Sequence, residues 1–258
     1  MHDLLDTTFI SVVKIESEDR YKNAKSVLGF LNHHFRTNVL IYEMTKGSLK
    51  TLDFLDDLGN LKIRVVENNT NDIFHRTKYL NHLLGMVETK VTCNYDIDVI
   101  FPVRSYLLCE SLILFGEAEI IYPFPREKLV QTIVHQNFDR KKFHLNFDPE
   151  ELNNAEEKRP TYCGHAVFLN TSSYKKYGGE NERFISYGPE DRERLVRFEK
   201  LGAEILNLED GCVYHFEHFR GQDSGKDPLT LERNEEEYAL VKEMSAEEIR
   251  KYQPPIKD

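Results

Sequence analysis

Apolar positions along this chain recur with two periods, and the two alternate. Short β-branched or wholly apolar runs predict strands at Phe9 to Ile15, Val39 to Tyr42, Leu61 to Val66, within Val91 to Pro102, at Ala118 to Tyr122, Tyr162 to Leu169 and Ala203 to Leu208. Between them, apolar residues fall at helical spacing. Ser17 is a plausible N-cap for a helix to about His34 that carries Tyr21, Ala24, Val27, Leu28 and Leu31. Asn71 or Asp72 is expected to cap a second helix with Phe74, Tyr79, Leu80, Leu83, Leu84 and Val87, and Leu107 to Phe115 reads as a third. Strand, helix, strand with short links is the unit of a parallel α/β sheet, in which ligands gather at the carboxyl ends of strands.

The pattern changes after Pro125. Arg126 to His135 is expected to form one more helix, and Arg140 to Pro160 is polar and aperiodic, a loop or lid. Thr171 to Tyr177 reads as a short helix and Gly178-Gly179 as a turn. Pro189 suits the first turn of a helix that Gly202 ends, with Leu195, Val196 and Phe198 toward the core. Leu229 to Met244 is a charged helix with Leu231, Tyr238, Leu240 and Val241. We expect one α/β domain over residues 1–258: a nucleotide-binding half (1–125), an acceptor and metal half (126–228) and a helical tail (229–258).

Composition narrows the classes. The 258 residues are 40% apolar and 30% charged, as in an ordinary globular protein. A net charge of -10 argues against a nucleic-acid surface, although a local cation or metal could still hold a small anion. No apolar run approaches the ~20 residues of a membrane helix, and the start M-H-D-L-L-D lacks a signal peptide's basic segment. The expectation is a cytoplasmic protein, at most peripheral at the inner membrane face; Arg140, Lys141 and Lys142 are a solvated face or a point of contact with an anionic membrane or lipid-linked substrate. Cys93, Cys109, Cys163 and Cys212 form no C-x-x-C pair, so buried free thiols are expected.

Three stretches carry candidate chemistry. In V-T-C-N-Y-D-I-D-V-I-F-P, Asp96 and Asp98 share one face at a strand end, where two acids can hold a divalent metal and a ribose. An isolated D-x-D is first of all a turn whose acids cap the next helix. In Y-G-P-E-D, Glu190 and Asp191 sit in the positive field of a helix N-terminus, which is reason enough for two acids. In H-F-E-H-F-R, His215 and His218 have the ligand type and reach of a metal site, although a single histidine is usually structural.

Together these stretches resemble the metal-dependent glycosyltransferases of the GT-A fold, specifically those sharing the C-terminal module of the β-1,4-galactosyltransferases and chondroitin polymerases. I-F-H-R-T-K-Y-L-N at residues 73 to 81 is similar to the family's F-N-R-A-K-L-L-N, and the likeness implies that Phe74 and Arg76 contact the uracil and diphosphate of the donor. D-I-D is similar to D-V-D, implying Asp98 as a metal ligand and Asp96 nearer the ribose. Y-G-P-E-D resembles W-G-G-E-D, whose acids bind the acceptor sugar and supply the base: here Asp191, with Glu190 orienting the acceptor. H-F-E-H resembles the H-x-x-H that completes the metal shell with His215 and His218, and Cys163-Gly164-His165 stands at the family's glycine-rich donor turn, making Gly164 a donor contact. The likeness spans roughly residues 9 to 220.

It implies an inverting transfer of a hexose or N-acetylhexosamine from a UDP-sugar to a saccharide or lipid-linked acceptor, with Mn2+ (or Mg2+), in surface polysaccharide assembly. Mixed oxygen and nitrogen ligation suits manganese better than magnesium. The chain departs from the pattern where Tyr187 replaces the stacking tryptophan, Pro189 a flexible glycine and His75 an asparagine, while Arg192 stands where some members carry a third acid. With no tryptophan in the chain, Tyr187 is the expected sugar-stacking residue. Two other readings stay open. A non-catalytic sugar-nucleotide or glycan-binding module would keep the fold without turnover. A sugar-phosphate nucleotidyltransferase would normally show a glycine-rich basic loop after the first strand, which Glu16 to Arg20 is not.

Overall fold

The first strand runs well beyond its β-branched core. In the computed structural model, which describes residues 1–44, 50–68, 74–126, 129–133, 156–160, 163–186, 188–218 and 227–256, β1 spans His2–Val13. It pairs in parallel with β2 (Phe35–Met44), from His2 opposite Phe35 to Val13 opposite Glu43, with an irregularity between Leu4 and Thr8. The polar break D-T-T conceals this early part from a pattern reading. Phe9 and Ile10 are fully buried because β1 is covered on both sheet faces.

The links are those of a parallel sheet. Ser17 caps α1 (Glu18–His34), its side chain accepting from the Arg20 amide at 3.3 Å. A short 3-10 turn (Thr51–Asp57) leads to β3 (Leu61–Asn68), and α2 (Arg76–Leu84) crosses back to β4 (Val91–Tyr95) on the other side of β1. The strands following are β5 (Val99–Ile100), β6 (Ile120–Tyr122), β9 (Ala166–Asn170) and β10 (Ile205–Asn207), with α3 (Val103–Leu114) after β5. The seven-stranded order is β10-β6-β9-β4-β1-β2-β3. Among the described residues of this sheet, only β9 runs antiparallel to its neighbours, β4 and β6. The chain thus builds outward in both directions from β1, and this reversal opens a crevice at the carboxyl ends of β1 and β4.

A second sheet, with order β5-β11-β7-β8, contains β7 (Leu129–Ile133), β8 (Glu156–Pro160) and β11 (Tyr214–Phe216). It corrects the helix expected over Arg126 to His135. L-V-Q-T-I is rich in β-branched residues, and pairing with β11 and β8 decides its state where local pattern does not. It also corrects the loop expected up to Pro160, whose last five residues are β8. Arg140, Lys141 and Lys142 lie outside the described residues.

Further helices are α4 (Thr171–Lys176), α5 (Glu190–Lys200), α6 (Pro228–Glu243) and α7 (Ala246–Tyr252). Gly202, at φ +85°, follows α5; its amide bonds Glu199 and the Ala203 amide bonds Phe198. On α6 the buried residues are Val241 and Asn234, whereas Leu240 is exposed. The tail therefore docks by an amide as much as by apolar contact. The start of α2 departs from expectation: His75 is its N-cap, while Asn71 and Asp72 lie outside the described residues. All four cysteines are free thiols, three of them buried. Among the described residues no helix is long and apolar enough to cross a membrane.

Candidate active site

The D-I-D turn leaves β4 at the crevice, and buried aromatics hold its base. Tyr95 donates its hydroxyl to the Val99 carbonyl at 2.6 Å and pairs with the Tyr106 hydroxyl at 2.8 Å. Tyr106 in turn accepts from the Phe101 amide at 3.1 Å. These bonds pin both ends of the turn. The Asp96 amide donates to the His165 carbonyl at 2.9 Å, which joins the turn to Cys163-Gly164-His165. His165 has a φ of +71°, in the left-handed region that costs a side-chain-bearing residue about 1–3 kcal/mol.

The short strand β5 explains how Asp98 meets two histidines more than a hundred residues away. Val99 on β5 lies opposite His215 on β11, and the Phe216 amide donates to the Asp98 carbonyl at 2.8 Å. From α1, the buried Asn23 amide reaches the carbonyls of Phe216 at 3.3 Å and Glu217 at 3.2 Å. Asp98 Oδ2 is consequently 3.1 Å from His218 Nε2 and 3.8 Å from His215 Nε2, and one ligand atom from each residue falls within 4.8 Å of the others. Two ligands ~2.1 Å from one ion at a right angle lie ~3 Å apart, so this set fits a divalent ion with little adjustment. Burial alone would raise the Asp98 carboxyl, but His215 and His218 outweigh it and hold it well below the usual carboxylate range.

Across the crevice, α5 aims its first turn inward. Gly164 stands so close that a Cβ on it would lie 3.4 Å from Asp191 Oδ2. Arg76, at the start of α2, donates to Asp96 at 2.8 Å and lies 3.8 Å from Asp191. It bridges the D-I-D side to the E-D side. Asp96 keeps 35% of its side chain accessible. Burial raises Asp96, with Arg76 opposing and Asp98 and Asp191 adding to the rise. The neighbouring acids of α5 are driven apart. Burial and the Asp191 charge push Glu190 up to about 8, and its Oε2 is buried without a hydrogen bond. Asp191 goes the other way: burial opposes ionisation, but Arg194 and Arg76 outweigh it and lower its pKa. Their surroundings thus favour the carboxylate at Asp191 and the protonated acid at Glu190.

Of the residues expected from sequence, the structure groups Arg76, Asp96, Gly164, Glu190 and Asp191 around one another, and sets the Asp98, His215 and His218 cluster beside them through Asp96 and His165. Phe74 is partly buried against the core, its carbonyl accepting from the Ser186 amide at 2.9 Å. Tyr187 lies outside the described residues. Its flanks are fixed: the Asn234 amide donates to the Ile185 carbonyl at 2.8 Å and accepts from the Ile185 amide at 3.3 Å. A Cβ at Gly188 would stand 2.8 Å from Asn234 Cβ, so glycine is required there. Asn234 escaped the sequence reading because a lone asparagine in a charged helix carries no pattern. Glu193, Arg194 and Arg197 are buried too, where only Leu195, Val196 and Phe198 were expected inside; Val196 is half-exposed. Their signal was the i, i+3 and i, i+4 spacing of opposite charges on α5.

The central, mostly parallel sheet with antiparallel β9 between β4 and β6 is that of the GT-A fold, and the chain has it. Solved structures agree. The chain is similar to S. aureus TarS 1-349 in complex with UDP-GlcNAc, with TM-score 0.59 and 14% identity over 94% of this chain and 69% of that one. GalNAc-T7 with UDP, GalNAc and Mn2+ gives TM-score 0.58 at 12% identity, over 98% of this chain and 58% of that one. The mannosyltransferase PcManGT from Pyrobaculum calidifontis in complex with GDP-Man and Mn2+ gives 0.55 at 11% identity, over 82% and 56%. No family model matches the chain. A stretch of 74 residues is 35% identical to the 33 kDa chaperonin of Alkaliphilus oremlandii (strain OhILAs), covering 29% of this chain and 23% of that protein. The chain thus spans under a quarter of that relative and just over half to about two thirds of the structural neighbours.

Proposed function

We propose that this chain is a metal-dependent inverting glycosyltransferase that moves a hexose or N-acetylhexosamine, galactose-type, from a UDP-sugar to a saccharide or lipid-linked saccharide, in surface polysaccharide biosynthesis. The observation that carries the reading is the approach of the Asp98, His215 and His218 cluster to the acids Glu190 and Asp191, linked through Asp96 and the Arg76 that reaches both Asp96 and Asp191. Neighbours of the same fold bound to UDP-GlcNAc, to UDP with GalNAc, or to GDP-Man add support for a sugar-nucleotide ligand.

Asp98, His215 and His218 would hold Mn2+ or, less suitably, Mg2+. When bound, the ion neutralises charge growing on the diphosphate. Phe74 and Arg76 are assigned to the uracil and diphosphate side, Asp96 to the ribose, and Gly164 to the close approach of the donor sugar. Asp191 takes the proton of the acceptor hydroxyl as that oxygen bonds to the anomeric carbon. The bond to UDP breaks with its electron pair leaving on the diphosphate, and attack from the opposite face inverts the centre. Glu190, whose burial favours the protonated acid, orients the acceptor by donating to one of its oxygens, and Tyr187 stacks on the sugar. Residues 1–125 serve the nucleotide, 126–228 the acceptor and metal, and 229–258 brace the acceptor loop through Asn234.

Calorimetric titration of UDP tests the donor site. Affinity is expected to fall at least about tenfold when EDTA replaces Mn2+, since the diphosphate loses its counter-charge. Equal affinity in both conditions overturns the assignment. The split pair adds a pH prediction. Because the protonated form of Glu190 is the useful one, kcat/KM for the acceptor should fall as pH rises through about 8. Glu190→Gln, which cannot ionise, should lose that alkaline limb; a limb that survives removes Glu190 from this role.

A further inference from the structure

Resting on the reading of Asp191 as the base, we propose that Arg194 is a positioning residue: from inside the core, itself fixed by Glu180, it holds Asp191 as a carboxylate. Arg194 is 2% exposed, and its Nη1 donates to Glu180 at 2.9 Å. Its Nη2 donates to Asp191 at 2.8 Å and to the Cys163 carbonyl at 3.4 Å. Glu180, itself 1% exposed, also accepts from the Asn94 amide at 3.2 Å and from the Tyr174 hydroxyl. The Asn94 carbonyl accepts from Arg76 Nη2 at 3.2 Å, the same nitrogen that reaches Asp96. Arg76 Nη1, 3.8 Å from Asp191, closes the circuit.

The buried half of this ring, Glu180 and Arg194, supports the half that opens on the cleft. Burying an ion pair adds little net stability, and apolar residues of like volume would serve the core as well or better. What the pair supplies instead is a fixed cation three residues along the helix from Asp191. The groups facing Asp191 are Glu190 and Arg194 on its own helix, Arg76 from α2, Asp96 beyond β4, Tyr122 on β6, and Cys163 and His165 before β9. Of the two guanidiniums, Arg194 is the one in hydrogen-bond contact. Removing it leaves burial and the neighbouring acids to favour the protonated form.

The test compares the full chain with Arg194→Lys, Arg194→Met and the double variant Arg194→Met/Glu180→Gln, which leaves no unpaired charge at the fully buried position 180. The Asp191 titration midpoint is read by carboxyl 13C NMR, identified by the signal missing in Asp191→Asn, beside calorimetry with UDP and Mn2+ as probe. Arg194→Met and the double variant should raise the midpoint by about one pH unit or more, Arg194→Lys by less, and UDP affinity should stay within about threefold. The acid limb of UDP release from UDP-sugars should move up with the midpoint. Should Arg194→Met fail to fold, the double variant and Arg194→Lys carry the comparison. An unmoved Asp191 midpoint overturns the proposal, and so does a loss of UDP affinity matching any loss of turnover. A wild-type chain that releases no UDP sinks the catalytic reading instead, and the NMR midpoint still decides what Arg194 does.

Discussion

Asp191→Asn should keep Mn2+-dependent UDP binding within about threefold of wild type while lowering kcat about 10²–10⁴-fold, the range general-base catalysis supplies. The asparagine is close to isosteric and can still accept from Arg194, which also keeps its bond to Glu180, so the ring loses charge without losing its shape. An amide cannot take up the acceptor proton, and the loss should therefore fall on kcat with little change in donor affinity. Single-turnover transfer beside UDP calorimetry reads both quantities on one preparation. Near-normal turnover would remove Asp191 as the base and leave its place at the helix N-terminus explained by the helix dipole alone.

The second large effect concerns the metal triad. Asp98→Asn removes the anionic member of the cluster and is expected to weaken Mn2+-dependent UDP binding by more than about 100-fold, because even groups one shell out from a metal cost 10–100-fold. His218→Ala should act in the same direction while leaving the fold intact, since the histidine follows β11 rather than lying within its pairing. Circular dichroism and thermal melting separate this from unfolding. Unchanged UDP affinity in either variant contradicts the assignment.

How much of this was legible in the sequence follows from where each signal lies. The parallel sheet shows in local periodicity: β-branched runs separated by Tyr21, Ala24, Val27, Leu28 and Leu31 at helical spacing fix the order of elements around β1. Residue types marked Asp98 and the pair His215 and His218 separately, and only the resemblance named them as a set, because the β5 and β11 pairing that unites them is long-range and leaves no local mark. The same absence hid β7 and β8, where L-V-Q-T-I and E-E-K-R-P become strands only through their partners. The burial of the charges was hidden for a different reason, although their spacing on α5 was visible. Arg194 and Glu180 are residue types that belong on the surface by default, and only their mutual distance shows that burial is compensated. Asn234 and the left-handed His165 likewise owe their roles to backbone they meet far along the chain.

The most direct measurement of the central claim is UDP release by the wild-type chain from a panel of UDP-sugars with saccharide acceptors, run in Mn2+ and in EDTA. The account predicts UDP release with at least one sugar in Mn2+ and none above background in EDTA. No release in either condition would leave a sugar-nucleotide or glycan-binding module, and pyrophosphate release from UTP with a sugar phosphate would replace the transferase by a nucleotidyltransferase.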